Sequence, residues 1–250
     1  MAWEYALLII ATGLLCGFIN TLAGSGSLIS LPILMFIGLP PHVANGTNRI
    51  GVFFQNIVSS IYFFRKKMLD VRMGLFLGIP AVIGSVAGAF IVLELDERVV
   101  EITVGIVLLI MLIPILLKPA QWLKKAQTEI KHRRWWLTII LFLLIGLYGG
   151  FIQAGVGIFL LSALVLNCGY DLVRANALKV FINLIFTPFA LVVFFARGEI
   201  DIFAGLLLAV GNAGGAYIAS RWAISWGPAF VRYVLIVVIV LAGARLLFFS

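Results

Sequence analysis

Charge is what this chain has least of: Lys, Arg, Asp and Glu make up 11% of its 250 residues, against about 25% in ordinary soluble domains. No stretch carries enough polar surface to cover a water-facing domain. Histidine occurs twice, as His42 beside Pro40 and Pro41 and as His132 in a basic stretch, which excludes a His-rich metal site and any HExxH zinc motif. A Walker sequence is missing, so the chain does not hydrolyse nucleotide itself. The run Gly24-Ser25-Gly26 follows no strand and is neither a nucleotide fingerprint nor a nucleophile elbow. With no paired base and nucleophile, an enzyme has nothing to work with, and no cofactor or metal is expected. Two cysteines, Cys16 and Cys168, sit in apolar runs, where a free thiol behaves as a small hydrophobe and says nothing of redox compartment.

Hydrophobic residues fill the space that charge leaves, at 63% of the chain. They fall into apolar segments at 5–22, 27–39, 43–64, 73–93, 99–117, 135–153, 156–167, 172–195, 202–220 and 229–249. Most are long enough as helices to cross a hydrocarbon core of about 30 Å. The expectation is an all-α, polytopic helical bundle in the cytoplasmic membrane. A net charge of +8 could suggest nucleic acid, yet most of the excess lies in two short loops. Arg65, Lys66, Lys67 and Arg72 form one; Lys118, Lys124, Lys125, Lys131, Arg133 and Arg134 form the other. Such loops read as cytoplasmic, in contact with anionic lipid rather than nucleic acid. Residues 1–6 carry no basic region ahead of the first apolar run, so that run is expected to stay as a span.

The two sides of the loop at 118–134 look like copies. An offset of 131 carries Ala23-Gly24-Ser25-Gly26 onto Ala154-Gly155-Val156-Gly157, Ala44-Asn45 onto Ala175-Asn176, Asp70 onto Asp201 and Gly74 onto Gly205. Upstream of the break an offset of 133 pairs Gly17-Phe18-Ile19-Asn20 with Gly150-Phe151-Ile152-Gln153. The expected organisation is a membrane repeat at 1–117, a basic cytoplasmic loop at 118–134 and a second repeat at 135–250. In each copy the second segment has about twelve residues, a rise of roughly 18 Å, too short to cross unaided. If these segments return to their starting side, each half has four spans and the halves are parallel. If they complete a crossing, each has five and the halves are inverted, toward which Arg174 and Arg221 lean slightly. Gly84 and Gly88, with Gly211, Gly214 and Gly215, put small residues on helix faces and predict close helix packing.

Paired short segments at matching places in two halves point to the binding site of a secondary transporter. A broken helix offers unpaired N–H groups and the positive end of its dipole, which suit an anion. The candidate donors are Gly24, Ser25, Gly26 and Ser27 at the first break and Gly155, Val156 and Gly157 at the second. Asn48, Arg49, Asn176 and Lys179 stand close by in sequence. A cation inside a span is costly and usually has a partner or a task, and Asn48 aligns with Lys179, so each half places one cation at nearly the same point. Further amides, Asn20, Asn45, Gln55, Asn56, Gln153 and Asn183, occupy comparable places. The plainer alternatives are that these amides only satisfy broken backbone and that Arg49 and Lys179 reach to the interface. Carboxylates within the spans are nearly absent, so a buried proton relay has no obvious candidate.

Gly17-Phe-Ile-Asn-Thr-Leu-Ala-Gly-Ser-Gly-Ser-Leu-Ile-Ser-Leu-Pro32, then Gly38-Leu-Pro and Ala44-Asn-Gly-Thr-Asn48, resembles the signature of the TauE/SafE family of membrane transporters, the sulfite exporter group. Ala154-Gly-Val-Gly157 with Ala175-Asn-Ala-Leu-Lys179 is similar to that family's second half. Members often carry a glycine where this chain has Ser27. The resemblance covers essentially the whole chain and implies transport of sulfite or organosulfonates, driven by an ion gradient rather than ATP. The expected partners are therefore a small anionic solute and the lipid bilayer, with a proton or sodium as coupling ion and homo-oligomerisation both left open. A non-transporting membrane scaffold and a carrier for another small organic anion remain the alternatives.

Overall fold

The computed structural model describes residues 3–100, 102–103 and 135–248; from 228 onward, Phe230 and Tyr233 are the described side chains. The basic loop at 118–134 and most of the segment expected at 99–117 lie outside the described residues. All described regular structure is helical. The long helices are α1 (Trp3–Ala23), α3 (Pro41–Arg65), α4 (Val71–Leu93), α5 (Trp135–Phe151), α7 (Leu172–Ala196) and α8 (Ile202–Phe248), the last broken at Gly227. Two short ones stand between them, α2 (Ser27–Phe36) and α6 (Val156–Ser162), the latter prolonged by a π turn over Ala163–Asn167.

Among the described residues four helices are long and apolar enough to cross a membrane: α1, α4, α7 and α8 as far as Gly227. Helix α3 is equally long but buries Asn45, Asn48, Arg49, Gln55 and Asn56. Such a helix belongs inside a bundle, where protein rather than lipid meets its polar side. Aspartates set the starts of three helices by accepting from first-turn amides: Asp70 from Met73 at 3.0 Å, Asp171 from Val173 and Arg174 at 3.0 Å, and Asp201 from Ala204 at 2.9 Å.

Contacts at the two ends fix the direction of each helix. On one face Tyr170 Oη donates to Asp70 Oδ2 at 3.0 Å, joining the start of α7 to the turn between α3 and α4. On the other, Arg197 and Glu94 pair at 2.6 Å and His42 Nε2 lies 3.0 Å from the Leu95 carbonyl, joining the ends of α7 and α4 to the start of α3. Helix α7 therefore runs opposite to α3. The face with Arg65, Lys66, Lys67, Arg72 and Arg174 is the basic one; the other carries Glu94, Asp96, Glu97, Glu199 and Asp201.

Close backbone approach ties α1 to α8 and α4 to α5. A Cβ at Gly17 would fall on the backbone of Asn212, and Cβ atoms at Gly211 and Gly215 would fall on α1 at Ile10 and Leu14. Likewise Gly84 and Gly88 abut Leu143 and Leu147, while Gly146 and Gly150 abut Ala81 and Ser85. The expected small-residue packing is present, except that Gly214 faces only the Leu14 side chain at 3.9 Å. These approaches make α1 run alongside α8 in the same direction, and α5 alongside α4. Two layers result, α1, α3 and α8 against α4, α5 and α7, joined where α3 meets α7. Each layer takes its last-named or first-named helix from the other half of the chain.

Helix α1 starts on the acidic face and stops opposite the penultimate turns of α3, where Thr21 and Ser59 hydroxyls lie 3.2 Å apart. Six residues of α3 remain beyond that point, about 9 Å. Because α1 ends short of the basic face, the ten residues of α2 suffice to bring the chain back. Of the two topologies open in the sequence, the observed one therefore has α2 cross back to the acidic face, and each of α5–α8 runs opposite to its counterpart among α1–α4.

Candidate functional site

Both breaks are made by glycine in the left-handed region, Gly24 at φ 77° and Gly155 at φ 73°, where an L side chain is strained. They meet in the middle of the protein. A Cβ on Gly24 would fall on the backbone of Gly157, and one on Gly157 would fall on Gly24. From this contact α2 leads toward the acidic face and α6 toward the basic one. Two helix N-termini, each the positive end of a dipole, thus lie back to back. Gly26 packs against α1 at Cys16 and Asn20.

Each helix that ends here is held by a cation from the opposite layer. Lys179 Nζ, on α7, donates to the carbonyls of Asn20 at 3.0 Å and Thr21 at 2.7 Å, the end of α1. Arg49, on α3, donates through Nη1 to the Gly149 carbonyl at 3.0 Å and through Nη2 to Gly150 at 2.6 Å, the end of α5. A cation at a helix C-terminus meets the negative end of the dipole and otherwise unpaired carbonyls. Arg49 also donates to Asn45 Oδ1 at 3.2 Å and stacks on Phe194, 4.5 Å from the ring centroid. Asn45 Nδ2 in turn donates to the Phe151 carbonyl at 2.8 Å, and Tyr148 Oη donates to the Ala154 carbonyl. Neither cation reaches out to an interface: both are buried.

The remaining candidates divide into occupied and unoccupied groups. Asn48 is occupied, accepting from Ser30 Oγ at 2.6 Å and donating to Ser27 Oγ at 3.1 Å. Asn20 donates to Gln55 at 3.3 Å, which donates to Asn56 Oδ1 at 3.5 Å; Gln153 donates to Thr187 at 3.0 Å and Asn183 at 3.4 Å. By contrast, Ser25 Oγ, Asn56 Nδ2 and both polar atoms of Asn176 are buried without a partner. Val156 and Gly157 contribute backbone and apolar surface only. Sequence reasoning missed Tyr148 and Asn212; the latter is buried beside Gly17 with its Oδ1 unpartnered, and its isolated amide among glycines was the available signal. Among the described residues no carboxylate is buried and no cluster of His, Cys, Asp or Glu could hold a metal.

The family model described as sulfite exporter TauE/SafE matches residues 9–246. A protein of Escherichia coli K12 named "Probable membrane transporter protein YfcA" is 28% identical over 239 residues, covering 95% of this chain and 87% of that protein. "Probable membrane transporter protein ORF9" of a Sinorhizobium species is 25% identical over 247 residues, 99% of this chain and 94% of the relative. A third, "Probable membrane transporter protein" of Haemophilus influenzae, is 24% identical over 96% of this chain and 94% of its own length. No solved structure gives a significant match.

Proposed function

The chain belongs to the sulfite exporter TauE/SafE family and is a membrane transporter, and from that premise we propose that its cargo is a small sulfur-containing anion, sulfite or an organosulfonate, carried across the plasma membrane. The observation that carries this reading is an imbalance of buried charge. Arg49 and Lys179 are both buried, and among the described residues no carboxylate is buried with them. Their partners are carbonyls and one amide oxygen. A helix C-terminus as a whole offers only about −0.5 of a charge, so each cation is offset by about half and the interior keeps a positive excess that an anion would balance.

The site is the junction of the breaks, with Gly24, Ser25, Gly26 and Ser27 on one side and Gly155, Val156 and Gly157 on the other. Lys179 supplies charge, with Asn176, Asn48 and Arg49 in support. Succession of a long helix, a left-handed glycine, a short helix and two long helices occurs twice with opposite direction, which favours an inverted duplication of 1–117 in 135–250 about the loop 118–134. Alternating access then means opening the junction first to one face and then to the other, by movement between halves that share helices across the two layers.

Flux of labelled sulfite into liposomes holding the purified protein, with imposed proton or sodium gradients, tests the reading. Saturable flux inhibited by taurine or sulfoacetate is expected. Inert behaviour of all three solutes under every gradient refutes a sulfur-anion carrier.

A further inference from the structure

The two cations occupy similar places but stand in different surroundings. At the end of α5 the polar groups are spent on the protein itself: Asn45 uses both ends of its amide, and Arg49 bonds three oxygens, leaving Nε unpaired. The unpartnered amide group on that side, Gln153 Oε1, is an acceptor, which repels an anion.

At the end of α1 the balance is reversed. Asn176, the counterpart of Asn45 at an offset of 131, bonds nothing, although its residue is fully buried. It lies three residues before Lys179 on α7, hence on the same helix face. Lys179 spends two of its three N–H groups on Asn20 and Thr21. Ser25 follows four residues after Thr21 and its hydroxyl is unpartnered; Asn56 is tied to Asn20 through Gln55 and its Nδ2 is unpartnered. An unpaired buried polar group carries its full desolvation cost, and native proteins keep few of them without cause. Three residues with spare donors are thus tied, by position on α7, by chain continuity from Thr21 and by the Asn20–Gln55–Asn56 bonds, to the segment that one ammonium holds.

We propose that the solute is held on one side of the junction, at the end of α1, by Ser25, Asn56, Asn176 and Lys179, whereas Asn45 and Arg49 form a closed clamp on the end of α5 and Asn48 is spent on Ser27 and Ser30 of α2. The site is thus asymmetric within a symmetric frame, and its four donors match an oxyanion with three or four oxygens. This assignment rests on the transporter reading above, adds Asn56 to its site and takes Asn48 and Arg49 out of contact with the solute.

Two measurements on the purified full chain test the proposal. The first is thermal unfolding without solute. Ser25→Ala and Asn176→Ala remove groups that bond nothing, so both should melt at or above the wild-type temperature, while Asn45→Ala, which breaks two buried bonds, should melt below it. An equal fall for Asn176→Ala and Asn45→Ala overturns the proposal whatever the solute. The second is sulfite flux, where Ser25→Ala, Asn56→Ala and Asn176→Ala should each raise KM by roughly tenfold or more, the loss of one hydrogen bond to a charged group. Wild-type KM in all three also overturns it. If wild-type protein moves none of sulfite, taurine and sulfoacetate, the sulfur reading fails by itself, and protection against unfolding by sulfate, phosphate and acetate, lost in Asn176→Ala, takes the place of flux; equal protection of wild type and variant then refutes the site.

Discussion

Replacing Gly24 by alanine perturbs the junction in two separable ways. The residue sits at φ 77°, where an L side chain costs about 1–2 kcal/mol. Its new methyl would also collide with the Gly157 backbone, with Ile158 N as a further neighbour at 2.8 Å. Backbone cannot rotate away as a side chain does, so overpacking of about 1–3 kcal/mol applies. Together these make roughly 2–5 kcal/mol, a large share of a stability of about 5–15 kcal/mol. Two other glycines isolate the contributions. Gly38 has φ 98° and nothing within 4 Å of a Cβ, so Gly38→Ala carries the conformational cost alone, about 1–2 kcal/mol. Gly157 lies within α6 and faces Gly24, so Gly157→Ala carries the steric cost without the conformational one, less about 0.5–1 kcal/mol regained in helix propensity. Denaturation in mild detergent, followed by tryptophan fluorescence, should rank Gly24→Ala as the most destabilised of the three. A Gly24→Ala protein no weaker than Gly38→Ala would mean that the two breaks do not touch, and the site argued from their contact would go with it.

Three further outcomes follow from the same geometry. Lys179→Met should abolish anion flux while leaving monodisperse protein, because relief of a buried ammonium's desolvation, several kcal/mol, offsets the two carbonyl bonds lost; size-exclusion chromatography beside the flux assay checks both halves of the statement. Gly150→Leu should separate α4 from α5 at Ser85 and prevent recovery of folded protein, whereas Gly214→Ala, which meets only Leu14, should gain about 0.5–1 kcal/mol from helix propensity. Arg197→Ala removes a pair whose side chains are 49% and 65% exposed, so the change in denaturation midpoint should correspond to less than about 1 kcal/mol.

Membrane class, the helical segments and the two breaks were legible in the sequence because each depends on local causes. Apolar runs of about twenty residues form spanning helices wherever they lie, and glycine with serine in a span signals a break regardless of its neighbours. The segments expected at 27–39 and 156–167 appear as α2 and as α6 with its π turn. Lys179 and Arg49 were visible as cations within spans for the same reason, while their burial, against reaching to the interface, was left open. Their bonding was not: a lysine at 179 caps residues at 20 and 21, and an arginine at 49 caps 149 and 150, separations that no local pattern encodes.

Sequence alone, then, determined that this chain is an α-helical membrane protein with two interrupted helices and scarce interior charge, since hydropathy and backbone preference act residue by residue. Tertiary structure decided three other things. It set the direction of each helix through contacts at the two faces, and it let the short α2 cross back because α1 ends short of the basic face. It exchanged α4 and α8 between the layers, where the glycine faces of α8 meet the backbone of α1 and those of α4 the backbone of α5. It also separated Asn176 and Ser25 from Asn48 and Ser27: the four residues are alike in chemistry, and only the surrounding chain decides which of them finds a partner inside the protein.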